Sequence, residues 1–264
     1  MNKAIGIIDS GVGGLIIASV LIKKLPKESF IYIADSQNCP YGQKDKEEIY
    51  ELTKKMVKYL LKKNIKLLVV ACNTITVTSI DKLRKDFNEV PIVGIVPVIK
   101  TAQEKTANGR IGVYSTMVTA KSPYQKELIK KFAKNRNVVN LGSSKLVSLI
   151  EKGEGERINR ILNKELRIFK ENNIDVLALG CSHFPLIKKE ISRLLPNVLI
   201  LDSSIAVFHQ VKRILENNNI LSSSQNSDYN FLTTGDKKFF AEFVKKTIGA
   251  KLTNEAKLSR ISLQ

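Results

Sequence analysis

Short apolar runs alternate along this chain with longer stretches in which apolar positions recur every three or four residues. The runs KLLVVA at 66–71 and DVLALG at 175–180 are almost wholly apolar, as strands buried on both faces must be. The pattern predicts strands at 4–8, 29–34, 66–71, 92–95, 110–114, 137–141, 175–180, 198–201 and 228–232. It predicts helices at 14–24, 45–63, 75–87, 97–105, 122–134, 144–151, 155–172, 184–194, 203–217 and 236–247. Strands alternating with helices imply an α/β fold with mostly parallel sheets. Leu25-Pro26, Val90-Pro91 and Leu195-Pro196 punctuate the ends of segments. The polar stretch at 217–227 reads as a surface loop, and residues from about 250 onward are expected to fray.

Two parts of this pattern are copies of each other. Residues 64–74 (NIKLLVVACNT) and 173–183 (NIDVLALGCSH) share Asn-Ile, an apolar run and a cysteine, at an offset of 181 − 72 = 109. Residues 5–10 (IGIIDS) and 111–116 (IGVYST) form a second pair, at an offset of 111 − 5 = 106. A duplicated half-domain would put Cys72 and Cys181 at equivalent places on facing halves. Two such thiols can act on opposite sides of one carbon atom, which points to a racemase or epimerase. One thiolate would remove a proton while the other thiol donates one, so the pair would hold one proton between them and titrate together.

Composition narrows the setting. With 43% apolar residues among 264, the chain can bury an ordinary core in one large or two smaller domains. No apolar run approaches the roughly 18 residues of a membrane-spanning helix. The chain enters an apolar run at Ala4 without a charged-then-apolar leader, so the expectation is no signal peptide and a cytoplasmic protein. Three cysteines form no disulfide framework and would stay free in a reducing compartment. The net charge of +18 raises the question of nucleic acid. The lysines are spread in short groups such as Lys54-Lys55 and Lys130-Lys131, with no nucleic-acid motif and few aromatics beside them. They read as solvated helix faces, with no nucleic-acid and no membrane partner.

Ligands of open α/β sheets bind beyond the carboxyl ends of the strands. Four polar segments fall there: Asp9-Ser10-Gly11, Asp35 through Gly42, Cys72-Asn73-Thr74 and Cys181-Ser182-His183. Each of the two cysteines precedes an expected helix, whose start favours thiolate over thiol. The glycines after Asp9 allow either an approach of backbone N–H groups to an anion or a plain tight turn. That string matches neither a P-loop nor a Rossmann fingerprint. His183 is two residues from Cys181, within reach of the thiol or its substrate. Pro40-Tyr41-Gly42 makes either the lip of a pocket or an ordinary turn. His209 falls in a helical pattern and reads as structural, and Cys39 reads as a buried bystander. A zinc site of Cys72, Cys181 and His183 would lack a C-x-x-C pair and a fourth ligand, so no metal is expected.

At these residues the chain resembles the aspartate/glutamate racemase superfamily, and within it the glutamate racemases. The resemblance covers most of the chain. It runs through Asp9 to Leu15, Ala34-Asp35-Ser36, Pro40-Tyr41-Gly42 and Val70 to Thr74. It continues in Leu146 to Glu151, Gly180 to His183 and Thr233 to Asp236. The resemblance implies interconversion of L- and D-glutamate without pyridoxal phosphate or any other cofactor, supplying D-glutamate for peptidoglycan. It implies that Cys72 takes the α-proton from the D-enantiomer and Cys181 from the L-enantiomer, with Asp9 and His183 assisting them respectively. It assigns Ser10, Pro40, Tyr41, Gly42, Asn73, Thr74 and Ser182 to holding the substrate, and Glu151 to the edge of the pocket. It implies two pseudo-symmetric α/β lobes, each a mostly parallel sheet flanked by helices, with the active site in the cleft between them. The expected lobes are 1–96 plus 208–264, carrying Asp9 and Cys72, and 97–207, carrying Glu151, Cys181 and His183. A homodimer is also implied. Without the N-terminal extension of members activated by a peptidoglycan precursor, no such activation is expected.

Three other readings stand beside this one. An aspartate racemase of the same superfamily differs by one methylene of substrate, a difference of about 1–3 kcal/mol in a pocket. A non-catalytic two-lobed binding protein for small anions would not account for cysteines at equivalent strand ends. A DNA-binding protein is suggested by charge alone and would show steeply salt-dependent binding.

Overall fold

A computed structural model describes residues 3–96 and 98–263. In chain order the elements are β1 (Ile5–Asp9), α1 (Leu15–Lys24), β2 (Phe30–Ala34), α2 (Lys46–Lys62), β3 (Leu67–Val70), α3 (Asn73–Asp86) and β4 (Ile92–Gly94). There follow α4 (Ile99–Lys105), β5 (Arg110–Thr116), α5 (Met117–Lys121), α6 (Pro123–Phe132), β6 (Asn137–Ser143), α7 (Leu146–Glu151), α8 (Gly155–Glu165) and α9 (Arg167–Glu171). The chain ends with β7 (Val176–Gly180), α10 (Lys188–Leu194), β8 (Leu199–Leu201), α11 (Ser204–Asn217), β9 (Tyr229–Thr233), α12 (Lys237–Ile248), α13 (Ala250–Glu255) and β10 (Lys257–Arg260). Short 3₁₀ turns occupy Ser36–Asn38, Tyr41–Gln43 and Phe184–Ile187.

The chain separates into two compact units, Met1–Ile95 with Ser204–Gln264, and Val96–Ser203. The first holds a six-stranded sheet ordered β10-β9-β2-β1-β3-β4, and the second a four-stranded sheet ordered β6-β5-β7-β8. Every pairing in both sheets is parallel. The fold is therefore α/β with two parallel sheets flanked by helices. The order β2-β1-β3-β4 in one sheet matches β6-β5-β7-β8 in the other. The registers match as well. Ile5 lies opposite Leu67, and Ile111 lies opposite Val176. These residues differ by 111 − 5 = 106 and 176 − 67 = 109, the two offsets of the sequence copies.

The central strands are buried along their whole length, β1, β3 and β7 alike. Helices cover them with apolar stripes. In α2 the buried residues are Ile49, Tyr50, Thr53, Met56, Val57 and Leu60, at helical spacing. Its start is capped by Asp45, whose carboxylate accepts the Glu48 N–H at 2.8 Å, with Glu47 and Glu48 in the first turn. Ser122 caps α6 in the same way ahead of Pro123, and Asp236 caps α12. In the second unit Ile111, Val113, Val176 and Ala178 pack under Val98, Ile99 and Ala102 of the α4 region.

Several expectations are corrected. Residues 250–260, expected to fray, lie mostly in regular elements. They form α13 and then β10, which pairs with β9 through Lys257 opposite Asn230 to Arg260 opposite Thr233. Gly249, at φ 103°, ends α12 and turns the chain toward that edge, a conformation that favours glycine. The helix expected at 155–172 is two, α8 and α9, separated at Leu166. The helix expected at 184–194 starts as a 3₁₀ turn over Phe184–Ile187 and becomes α-helical at Lys188. Helix α3 begins at Asn73, earlier than the expected 75, because Cys72 itself serves as its N-cap. The expected helix at 97–105 starts at Pro97, outside the described residues, and α4 runs from Ile99. Among the described residues no helix is long and apolar enough to cross a membrane.

Candidate active site

In the first unit the polar segments lie at the carboxyl ends of β1, β2 and β3. Asp9 is the last residue of β1 and fully buried. Its Oδ1 accepts the Gly11 N–H at 2.8 Å, so the carboxylate shapes the glycine turn. The Tyr32 hydroxyl donates to the Gly11 carbonyl at 2.7 Å. Gly14 is required where α1 starts. A Cβ there would stand 2.8 Å from the Asp9 Cβ and 3.0 Å from the Ala71 Cβ. Ser10 Oγ lies 3.7 Å from the Cys72 sulfur.

Cys72 is buried at 4% exposure and caps α3 through its backbone. The Thr76 N–H and hydroxyl both donate to the Cys72 carbonyl at 3.0 Å, and the same hydroxyl accepts the Ile95 N–H at 3.1 Å. A 14-residue helix thus starts at this thiol, and the partial positive charge of a helix start favours an anion there. Asn73 and Thr74 form its first turn and are buried. The Asn73 Nδ2 has no hydrogen-bond partner among the described residues.

Asp35, after β2, organises the neighbouring turns. One carboxylate oxygen accepts the Tyr41 hydroxyl at 2.5 Å, the other accepts the Thr234 hydroxyl at 2.7 Å, and Asn38 Nδ2 reaches both at 3.0 Å. Burial first, and then the Asp35 charge, hold the Tyr41 hydroxyl far above the ordinary tyrosine value of 10.0, so it stays protonated. Pro40, joined to Cys39 by a cis peptide, enters the Tyr41–Gln43 turn, which contains Gly42. Cys39, between the two 3₁₀ turns, is half-buried rather than buried.

In the second unit Cys181 follows β7 directly and is buried at 6% exposure. No α-helix starts there. The segment Cys181-Ser182-His183 is a turn, closed by the Phe184 N–H on the Cys181 carbonyl at 3.2 Å. The α-helix start expected beside this thiol is absent: Phe184–Ile187 is a 3₁₀ turn and α10 begins at Lys188. His183 is 1% exposed; its Nε2 pairs with Glu151 Oε1 at 2.6 Å and its Nδ1 lies 3.3 Å from the Ser182 hydroxyl. Glu151, the last residue of α7, is therefore tied to His183. Tyr114 of β5 donates its hydroxyl to Glu165, and the Ser143 hydroxyl donates to the other Glu165 oxygen at 3.2 Å. Burial, then the Glu165 charge, push the Tyr114 hydroxyl well above 10.0.

Within the first unit, Asp9 ends β1, and Ser10, Pro40, Tyr41, Gly42, Cys72, Asn73 and Thr74 follow strands of the same sheet. Within the second, Cys181, Ser182 and His183 follow β7, and Glu151 reaches His183 from α7. His209 lies in helix α11, as its pattern suggested, and is exposed. Sequence reasoning passed over Tyr114, Ser143, Glu165 and the carboxylate role of Asp35. Glu165 lies in an ordinary charged helical stretch, and only its tertiary partners distinguish it.

Strand-end thiols, one in each of two sheets of like order, raise the question of relatives. Residues 16–211 match the Asp/Glu/Hydantoin racemase family. The chain belongs to this family. A glutamate racemase from Clostridium acetobutylicum is 42% identical over 84% of this chain and 87% of its own length. A glutamate racemase from Bacillus cereus is 36% identical over 96% of each. Among solved structures, Escherichia coli glutamate racemase, in complex with L-glutamate and the activator UDP-MurNAc-ala, is 30% identical with a TM-score of 0.86. That likeness covers 99% of both chains. The Francisella tularensis glutamate racemase in complex with D-glutamate is 28% identical with a TM-score of 0.85, covering 100% of this chain and 98% of the other. The racemase family thus accounts for both sheets of this chain.

Proposed function

We propose that this chain interconverts L- and D-glutamate by two-base proton transfer at the α-carbon. The single observation that carries the reading is the pair of thiols at matching ends of β3 and β7, in a chain whose relatives are glutamate racemases. With D-glutamate, the Cys72 thiolate removes the α-proton while the Cys181 thiol donates its proton to the opposite face. With L-glutamate the roles exchange. One proton moves from carbon to sulfur and one from sulfur to carbon, so the pair ends each turnover in the opposite protonation state. Such a positioned base contributes about 10²–10⁴ in rate.

Asp9 assists Cys72 in proton handling, and His183, held by Glu151, assists Cys181. The developing charge on the substrate is stabilised by donors fixed in advance. Asn73 and Thr74 at the start of α3, with Ser10, take a carboxylate. Support comes from the buried Asn73 Nδ2, which lacks a protein partner among the described residues and is costly unless a substrate oxygen meets it. Ser182 and the backbone of Pro40, Tyr41 and Gly42 complete the grip. Tyr41 acts through its backbone because its hydroxyl is occupied by Asp35. The chemistry needs neither metal nor organic cofactor, since one sulfur takes the α-proton and the other gives one. The same reading makes this a cytoplasmic homodimer that feeds D-glutamate to peptidoglycan synthesis.

Incubation of the purified chain with L-glutamate in D₂O, without added cofactor, tests the proposal. Deuterium enters the α-carbon and optical rotation decays to zero. Retention of the α-hydrogen and of rotation would overturn it.

A further inference from the structure

Behind the Cys181 turn, buried aromatic side chains and a partly buried carboxylate stand outside the proton transfer proposed above. Tyr114 lies in β5 opposite Leu179 of β7, two residues before Cys181. Its ring packs on Phe184 with centroids 4.7 Å apart, and on Phe169 edge-on at 5.7 Å. Phe184 immediately follows His183, and its N–H closes the turn on the Cys181 carbonyl. The turn that carries the thiol and the imidazole is therefore seated on the Tyr114 ring. The far end of that ring is held by Glu165, the last residue of α8, which is fixed in turn by the Ser143 hydroxyl at the end of β6.

We propose that Glu165 is a positioning residue for Cys181, acting through Tyr114 and Phe184 without touching substrate. A hydrogen bond to an ionised carboxylate is stronger than one between neutral groups, and it restrains the tyrosine ring at its lever end. Displacement of a reacting group by about 1 Å can cost about 10²-fold in rate, so a fixed seat beneath the turn matters to catalysis. The first unit repeats the device with different residues. There Tyr41 donates to Asp35, the other Asp35 oxygen accepts a Thr234 hydroxyl, and the Tyr41–Gln43 turn packs against α3, which starts beside Cys72. Tyr41 follows β2 whereas Tyr114 lies inside β5, so the two arrangements are not copies by sequence position. Each unit has reached the same solution, a tyrosine tied to a carboxylate that a Ser or Thr hydroxyl holds.

The proposal rests on the reading of Cys181 as an acid–base group, and its test is arranged to be judged separately. Glu165→Ala, Glu165→Gln and Tyr114→Phe are made in the full chain. Turnover of L-glutamate gives kcat and KM, and peptide mass spectrometry gives the iodoacetamide alkylation rates of Cys181 and Cys72 in the same sample. Glu165→Ala is expected to lower kcat by about 10²-fold with KM changed less than about twofold. It changes the Cys181 alkylation rate several-fold and leaves that of Cys72 at the wild-type value. Glu165→Gln, which still accepts the Tyr114 hydroxyl, recovers most of the activity. Tyr114→Phe keeps the ring and loses only the bond, so it reports the same interaction if Glu165→Ala folds poorly. Wild-type kcat and Cys181 alkylation in both Glu165→Ala and Tyr114→Phe would overturn the proposal, and so would equal shifts at both cysteines. A wild-type chain that fails to exchange the α-proton removes the catalytic reading instead, while the alkylation ratio still decides whether Glu165 positions Cys181.

Discussion

The strands that end at Cys72 and Cys181 begin alike and are fastened differently. Each is entered through an asparagine in the left-handed region, Asn64 at φ 56° and Asn173 at φ 48°, followed by a buried isoleucine. The next residue differs in sign of charge. Lys66 stands in one copy and Asp175 in the other, at the same offset as the cysteines, 175 − 66 = 109. Lys66 pairs with Glu28 at 2.6 Å in a buried ion pair and donates to the Ile220 carbonyl at 2.6 Å. Glu28 also accepts the Ser222 N–H at 2.8 Å, so the pair ties the chain's return segment to the base of β3. Asp175 is half-exposed and accepts the Thr106 hydroxyl at 2.6 Å and the Ala107 and Asn108 N–H groups at 2.6 and 2.8 Å. One position in the copy therefore anchors a strand through opposite charges. What the duplication preserves is the anchoring of the strand, and the partners follow from the local surroundings.

The opposite ends of the two strands also differ. Cys72 starts a 14-residue helix, whereas Cys181 starts a turn braced by aromatic rings. The largest expected effect breaks this comparison directly. Cys72→Ala and Cys181→Ala should each lower racemisation by about 10³–10⁴-fold while the fold survives. Slow solvent exchange should persist for L-glutamate alone in Cys72→Ala and for D-glutamate alone in Cys181→Ala, as followed by proton NMR in D₂O. A variant that racemises at the wild-type rate would show that its thiol is dispensable.

The strand bases come next. Lys66→Met leaves the Glu28 charge buried without its partner and should cost about 3–5 kcal/mol in denaturant unfolding. Asp175→Asn keeps an acceptor near solvent and should cost only about 1 kcal/mol after screening. Equal losses would mean that burial does not distinguish the two anchors. Acid sharpens the contrast. Burial alone would raise the Asp175 pKa, but the bonds from Thr106, Asn108 and Ala107 hold it below the ordinary 3.8. Its folded pKa is thus depressed, so its contribution is complete above the unfolded value and is lost as pH falls through the folded one. Asp175→Asn should flatten that part of the acid unfolding curve, and an unchanged curve would exclude Asp175 as a source of it.

The smallest effects concern the two asparagines. Asn64→Ala and Asn173→Ala should each cost about 1 kcal/mol, because a left-handed backbone strains alanine, while glycine at either place is nearly neutral. Unequal costs in thermal unfolding would show that the two strand entries are not equivalent.

The regular elements were largely legible as a pattern. Wholly apolar runs marked the buried strands, and apolar stripes marked α2, α6, α11 and α12, because burial on two faces or one dictates the spacing. The misses have two causes. Strand β10 (KLSR) is an exposed edge with little apolar content, so only its partner β9 makes it a strand. Helix α5 is a five-residue turn fixed by the Thr116 cap, too short to show a period.

For the candidate site, the sequence alone determined which residue types follow each strand, including a cysteine after β3 and after β7, since chain order carries that information. It could not select Glu165 over Glu156 of the same helix, nor pair Asp35 with both Tyr41 and Thr234. Those choices belong to the tertiary structure, because a carboxylate's role is defined by the donors that converge on it: Ser143 and Tyr114 reach Glu165 from 22 and 51 residues away, and Thr234 reaches Asp35 from 199.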